Sequence, residues 1–125
     1  MRTLILSLVT AIVLFAGVAG NYKGTWSGGG SGDIRISLQP GEGGEWKSTV
    51  TFTFDGSEVQ TKVTSVKVDG NKVKIVYTFD LQGNILESTV TGEVKGRTME
   101  GAYSTKAAAD GSAVDEGTWK ATAPE

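Results

Sequence analysis

Gly24-Thr25-Trp26 near the start of the chain and Gly117-Thr118-Trp119 near its end are one tripeptide used twice. Between them lie six short runs of β-branched and aromatic residues parted by glycine turns, so the two copies read as the first and last strands of one small closed β-structure. The runs between them alternate strictly. Ile34, Ile36 and Leu38 are interleaved with Arg35, Ser37 and Gln39; Trp46, Val50, Phe52 and Phe54 with Lys47, Thr49, Thr51 and Thr53. Val73, Ile75, Tyr77, Phe79 and Leu81 share one parity, and Lys72, Lys74, Thr78 and Asp80 take the other. A period of two with one apolar and one polar face is the pattern of an antiparallel sheet buried on one side.

This reading predicts eight strands, near residues 22–27, 33–39, 45–54, 57–68, 72–81, 84–94, 97–105 and 116–122, with no helical period after residue 20. Asp55-Gly56, Asp69-Gly70-Asn71 and Gly83-Asn84 supply hairpin chemistry, glycine giving the positive φ that tight reversals need. Every connection is short except 28–32 and 107–115. In the fourth run Val59 and Val63 share a parity that Val66 and Val68 do not, which predicts a bulge near Thr64 and Ser65. Gly92 and Gly101 stand at inward positions, which suits a sharply coiled strand or a large neighbour pressing on it. Hairpin linkage throughout favours an up-and-down meander over a sandwich. Its two end strands are exposed edges unless they meet. The expected fold is therefore all-β, an eight-stranded antiparallel up-and-down barrel closed by pairing of the two Gly-Thr-Trp strands, with both tryptophans at or near one end.

Residues 1–20 have the layout of a secretory signal peptide: Arg2, an apolar run from Leu4 to Phe15, then small residues at Ala16, Gly17, Ala19 and Gly20. Cleavage after Ala19 or Gly20 is expected, leaving residues 21–125 as a single domain in the periplasm or outside the cell, with no membrane anchor. The apolar run is shorter than the roughly 20 residues of a bilayer span. With no cysteine in the chain, a lipid-anchored lipoprotein is excluded and so are disulfides, which leaves stability to core packing. The 14 acidic side chains face 12 basic ones; without Arg2 eleven basic ones remain, for a net charge of −3. Weakly acidic and interspersed charge provides no footprint for nucleic acid or an anionic membrane.

Gly24-x-Trp26 on the first strand of such a meander resembles the opening of the lipocalins and of avidin-type barrels. In those folds the tryptophan closes the barrel floor, covered by an arginine from the last strand; here the last strand offers Lys120 and no arginine. A wider resemblance spans Gly24-Thr25-Trp26, the run from Val63 to Val73 (VTSVKVDGNKV), Met99-Glu100-Gly101 and Gly117-Thr118-Trp119. It is similar to the small β-module preceding the hydrolase domain of some secreted bacterial serine esterases. That resemblance implies fold and export. It implies no esterase activity, because no Gly-x-Ser-x-Gly elbow or histidine is present.

Without histidine or cysteine, the usual zinc sites, cysteine nucleophiles and serine–histidine triads cannot be assembled, and no cofactor is expected. Asp80, Glu87, Glu93 and Glu100 could form a two-carboxylate site, but they read better as outward residues paired with lysines such as Lys74 and Lys95. Gly28 to Gly32 reads as a connection, or a lid over one mouth, and not as a phosphate loop, since no Gly-Lys-Ser/Thr or helix follows. Asp110, Ser112, Asp115 and Glu116 offer oxygen ligands without a cation-loop motif and read as a solvated loop. Thr49, Thr51 and Thr53 form an outward row of good strand formers.

The aromatic residues pose the main choice. Trp26, Trp46, Phe52, Phe54, Tyr77, Phe79, Tyr103 and Trp119 all take inward parities, and eight strands enclose a space that side chains fill or that holds one small ligand. A small barrel without disulfides needs most of these rings for packing, which favours a filled core. The expected function is a non-enzymatic binding or interaction module. If it takes a small apolar ligand, Trp26, Phe52, Phe54, Tyr77, Phe79 and Tyr103 line the site, with Ser48 and Ser88 as polar handles. The alternatives are a module that docks an exported enzyme through its outer strands and, more remotely, a carboxylate enzyme.

Overall fold

The computed structural model describes residues 18–124, so the stretch read as a signal peptide lies outside the described residues except for Val18, Ala19 and Gly20. Among the described residues nine strands follow one another: β1 (Gly20–Ser27), β2 (Ser31–Pro40), β3 (Trp46–Phe54), β4 (Ser57–Gln60), β5 (Lys62–Asp69), β6 (Lys72–Leu81), β7 (Asn84–Lys95), β8 (Thr98–Ala107) and β9 (Ala113–Thr122). They form one antiparallel sheet in the order β4-β3-β2-β1-β9-β8-β7-β6-β5, a meander curled into a nearly closed barrel compatible with a lipocalin-like fold. Among the described residues the helical structure is one 3-10 turn, Glu42–Gly44.

The two Gly-Thr-Trp strands pair as expected, with Trp26 directly opposite Trp119 and Gly24 opposite Ala121. This pairing places a local two-fold relation between β1 and β9. A Cβ on Gly24 would stand 1.7 Å from the Lys120 carbonyl oxygen and one on Gly117 2.1 Å from that of Ser27, so each glycine lets the other strand's backbone come close.

Eight strands were expected where nine are found, because the run 57–68 is divided at Thr61. Up to Gln60 it pairs with β3, and from Lys62 it pairs with β6. One extended segment cannot satisfy two diverging neighbours, so the chain turns from one to the other. The Thr61 hydroxyl marks the seam, donating to the Val50 carbonyl at 2.5 Å. The bulge lies between Val63 and Ser65, as the phase change predicts. A second register shift, opposite Thr105 and Lys106, leaves Val114 as the extra residue of β9. The turn expected at Gly83-Asn84 is built one residue earlier, with positive φ at Gln82 and Gly83; the Asp80 carboxylate accepts from the Gly83 N–H at 2.8 Å and holds that shape.

Leu38, Ile75 and Met99 are fully buried, and Ile36, Val50, Val90 and Ala121 nearly so. With Val18 and Tyr22 they fill the end of the barrel where β2–β3, β5–β6 and β7–β8 turn. The interior is therefore filled at one end. It is hollow at the other.

Candidate functional site

Around the hollow end the twin tryptophans diverge. Trp119 faces Gly101 on β8, and its indole N–H is shared between the carbonyls of Thr91 (3.1 Å) and Ala102 (3.2 Å). A Cβ on Gly92 would lie 2.7 Å from the Trp119 ring, so that indole is pressed flat into the wall. Trp26 faces Gly32 on β2 and donates to the Thr53 carbonyl at 3.0 Å. It stacks instead on Phe54, with centroids 6.4 Å apart and planes 17° apart. Phe54 is 39% exposed, and the space beneath it stays open.

That space is a cavity of about 280 Å³ whose lining includes Trp26, Ile34, Phe52, Phe54, Tyr77, Phe79, Leu81, Leu86 and Tyr103. The rings form a continuous edge-to-face belt: Trp26 to Phe52 at 6.2 Å, Phe52 to Phe79 at 5.0 Å, and Trp26 to Tyr103 at 5.9 Å. Aromatic rings prefer such offset and edge contacts to direct sandwiches, which fixes their orientation. A filled interior was favoured from the sequence; side chains fill one end of the barrel and leave this hollow at the other.

Three polar features break the apolar wall. Ser88 and Thr105, opposite one another on β7 and β8, are buried with their hydroxyls 2.5 Å apart. Burial pushes the Tyr77 phenol up to about 12, partly offset by its hydrogen bond with Ser88. Asp115 stands at the mouth. Its carboxylate accepts from the Tyr103 hydroxyl at 2.7 Å and from the Gly29 N–H at 2.9 Å, which ties the glycine connection between β1 and β2 down over the opening. Burial first, and then the Asp115 carboxylate, holds the Tyr103 phenol well above its usual range.

Of the residues expected to line a pocket, Trp26, Phe52, Phe54, Tyr77, Phe79, Ser88 and Tyr103 meet around this cavity. Ser48 does not. It sits opposite Leu38 near the filled end, its Oγ buried without a hydrogen-bond partner among the described residues. Asp115 was read as part of a solvated loop, because the last strand was expected to begin at 116. With β9 starting at Ala113 it takes the parity of Gly117 and Trp119 and turns inward opposite Thr105.

Among the described residues the other carboxylate candidates gather into no cluster of three, although Glu93 and Glu100 are cross-strand neighbours. Glu87 pairs with Lys106 at 3.4 Å, and not with the lysines expected. Glu93 and Glu100 face each other across β7 and β8, with Lys72 and Lys120 as their outer neighbours. Asp110 is occupied by Ser112, whose N–H and hydroxyl both donate to it, and these contacts hold its carboxyl below the usual range. Among the described residues no three acidic side chains converge to hold a metal, and no helix is long and apolar enough to cross a membrane. The chain matches no family model, no curated protein and no solved structure.

Proposed function

We propose that this protein is an exported, non-enzymatic binding module that takes a small, mostly apolar ligand into the hollow end of its barrel. The observation that carries this reading is the cavity itself: about 280 Å³, walled by aromatic and aliphatic side chains and furnished with one hydroxyl pair and one carboxylate. Ligand sites are typically apolar concavities with a few placed polar groups. At roughly 30 Å³ per water, the space equals about nine waters, so it suits a ligand of one or two rings.

Native mass spectrometry of residues 21–125, purified gently from a bacterial envelope, tests the proposal. A discrete excess mass that is lost on denaturation supports it. Phe52→Ala and Tyr77→Ala should then reduce the loaded fraction with the fold retained. A bare monomer mass, together with no uptake of added one- and two-ring aromatic compounds, overturns it.

A second reading rests on the seam. β4 and β5 are the two ends of the sheet, and an unpaired edge is a template for an added strand. An exported enzyme docking there would agree with the resemblance to the esterase β-module. Failure of the mature protein to retain any partner from a periplasmic extract would count against it.

A further inference from the structure

Given the ligand-binding reading above, on which this inference rests, we infer that the cavity selects a protonated arylalkylamine over a neutral or anionic ligand of the same ring system. The argument begins with what lines the mouth. Asp115 is the one charged residue among the lining residues, and no lysine or arginine accompanies it. A carboxylate ligand, such as a fatty acid, would bring a second negative charge to that mouth and find no cation to pair with. An ammonium group would find a carboxylate already held in place.

The holding is specific. Asp115 turns inward because β9 pairs it with Thr105, and the extra residue Val114 beside it leaves the next pairing at Ala113. Each carboxylate oxygen accepts one hydrogen bond, Oδ1 from Gly29 and Oδ2 from Tyr103. A carboxylate oxygen has two acceptor directions, so each keeps one for a further donor. The carboxylate is thus oriented without being saturated, and only partly exposed. In the same cavity Trp26 and Phe52 present rings 89° apart, a corner that takes one flat ring face-on to one wall and edge-on to the other. A ring in the corner and an ammonium at Asp115 together describe an arylalkylamine. Tyr103, whose hydroxyl donates to the carboxylate, stands edge-on to Trp26, and a cation gains from such rings where it meets a face.

Isothermal titration calorimetry with tryptamine, 3-methylindole and indole-3-acetate, on wild type and Asp115→Asn, tests the assignment. Asparagine keeps an acceptor for Gly29 and can donate to the Tyr103 oxygen, so the tie over the mouth is retained while the charge is removed. Wild type should bind tryptamine about tenfold more tightly than 3-methylindole, with the acetate weakest. In Asp115→Asn, tryptamine should lose its margin over 3-methylindole. Equal or tighter binding of the acetate overturns the inference. So does an equal loss for all three ligands in the variant, which would make Asp115 a tie for the glycine connection alone. If none of the three binds the wild type, this inference falls, while the ligand-binding reading is decided separately by the native mass.

Discussion

One position separates the two halves of the barrel: where Trp119 lies against Gly92, Trp26 lies against Phe54. The glycines beneath the tryptophans leave no room for change. A Cβ at Gly101 would sit 1.8 Å from the Thr91 carbonyl oxygen, which is backbone and cannot swing away. Gly101→Ala should therefore cost about 3 kcal/mol or more, read as a lower denaturation midpoint at unchanged slope. A loss within a few tenths of a kcal/mol would show that β7 and β8 are not held this close. Tyr77 gives a pH prediction. Its phenol is raised to about 12 in the fold from 10.0, so the native state holds the proton more tightly than the unfolded one. The resulting stability is complete below pH 10 and is lost as pH rises through 12, about 3 kcal/mol in all by linkage. Tyr77→Phe should flatten that part of the alkaline profile, leaving a same-signed contribution from Tyr103 that is itself reduced, because the Tyr77 phenolate is one of the charges that raise it. An unchanged profile would mean that Tyr77 is not sealed from water. At this scale the sequence was legible in which face each residue takes, because parity is a local property. It was not legible in height along the barrel, and Ser48 shows why: it shares the parity of Phe52 and Phe54 yet ends in the filled half.

Strands were read closely where one run meets one neighbour on each side; Lys72–Leu81 was bounded from alternation alone and stands as β6. The division at Thr61 could not be read, since the residues on either side remain good strand formers and only the choice of partner changes. That division creates the weakest element. β4 is four residues long, lies at the end of the sheet, and has no buried residue. Its amides should exchange with deuterium faster than those of any other strand, and those of β6 and β7 at the core slowest. Thr61→Val removes the hydroxyl that donates to Val50; it should cost about 1 kcal/mol and speed β4 exchange further. Equal protection across β4 and β6 would mean that the seam is closed in solution. The first strand carries a related test. Val18 is 5% exposed, and its carbonyl accepts from the buried Tyr22 hydroxyl at 2.9 Å. A chain beginning at Asn21, as cleavage after Gly20 would leave it, lacks both contributions. It should be less stable than a chain beginning at Val18 by about 2 kcal/mol.

For the molecule as a whole, the cavity sets stability against binding. The filled end anchors nine strands without disulfides, while the hollow end forgoes the dispersion contacts that packing there would bring. Ser88 and Thr105 lie at the centre of this opposition, because each hydroxyl is buried and satisfied mainly by the other. Replacing Ser88 alone with alanine leaves Thr105 short of its partner and should cost about 1 to 2 kcal/mol. Replacing both with valine in a Tyr77→Phe background, so that the phenol that hydrogen-bonds Ser88 is not left without a partner, exchanges the buried hydroxyls for slightly more apolar volume, and the ligand-free protein should be as stable as that background or more so. Ligand should then discriminate between the two. At a hundredfold excess over Kd a ligand stabilises wild type by about 2.7 kcal/mol, a rise in Tm on the order of 10 °C for a domain of this size. In the double valine variant that rise should shrink, because the space and the polar handle are both reduced. A variant that is more stable and still gains the full rise would place the ligand outside the barrel. One that loses stability without ligand would show that the hydroxyl pair holds the fold together, not the site.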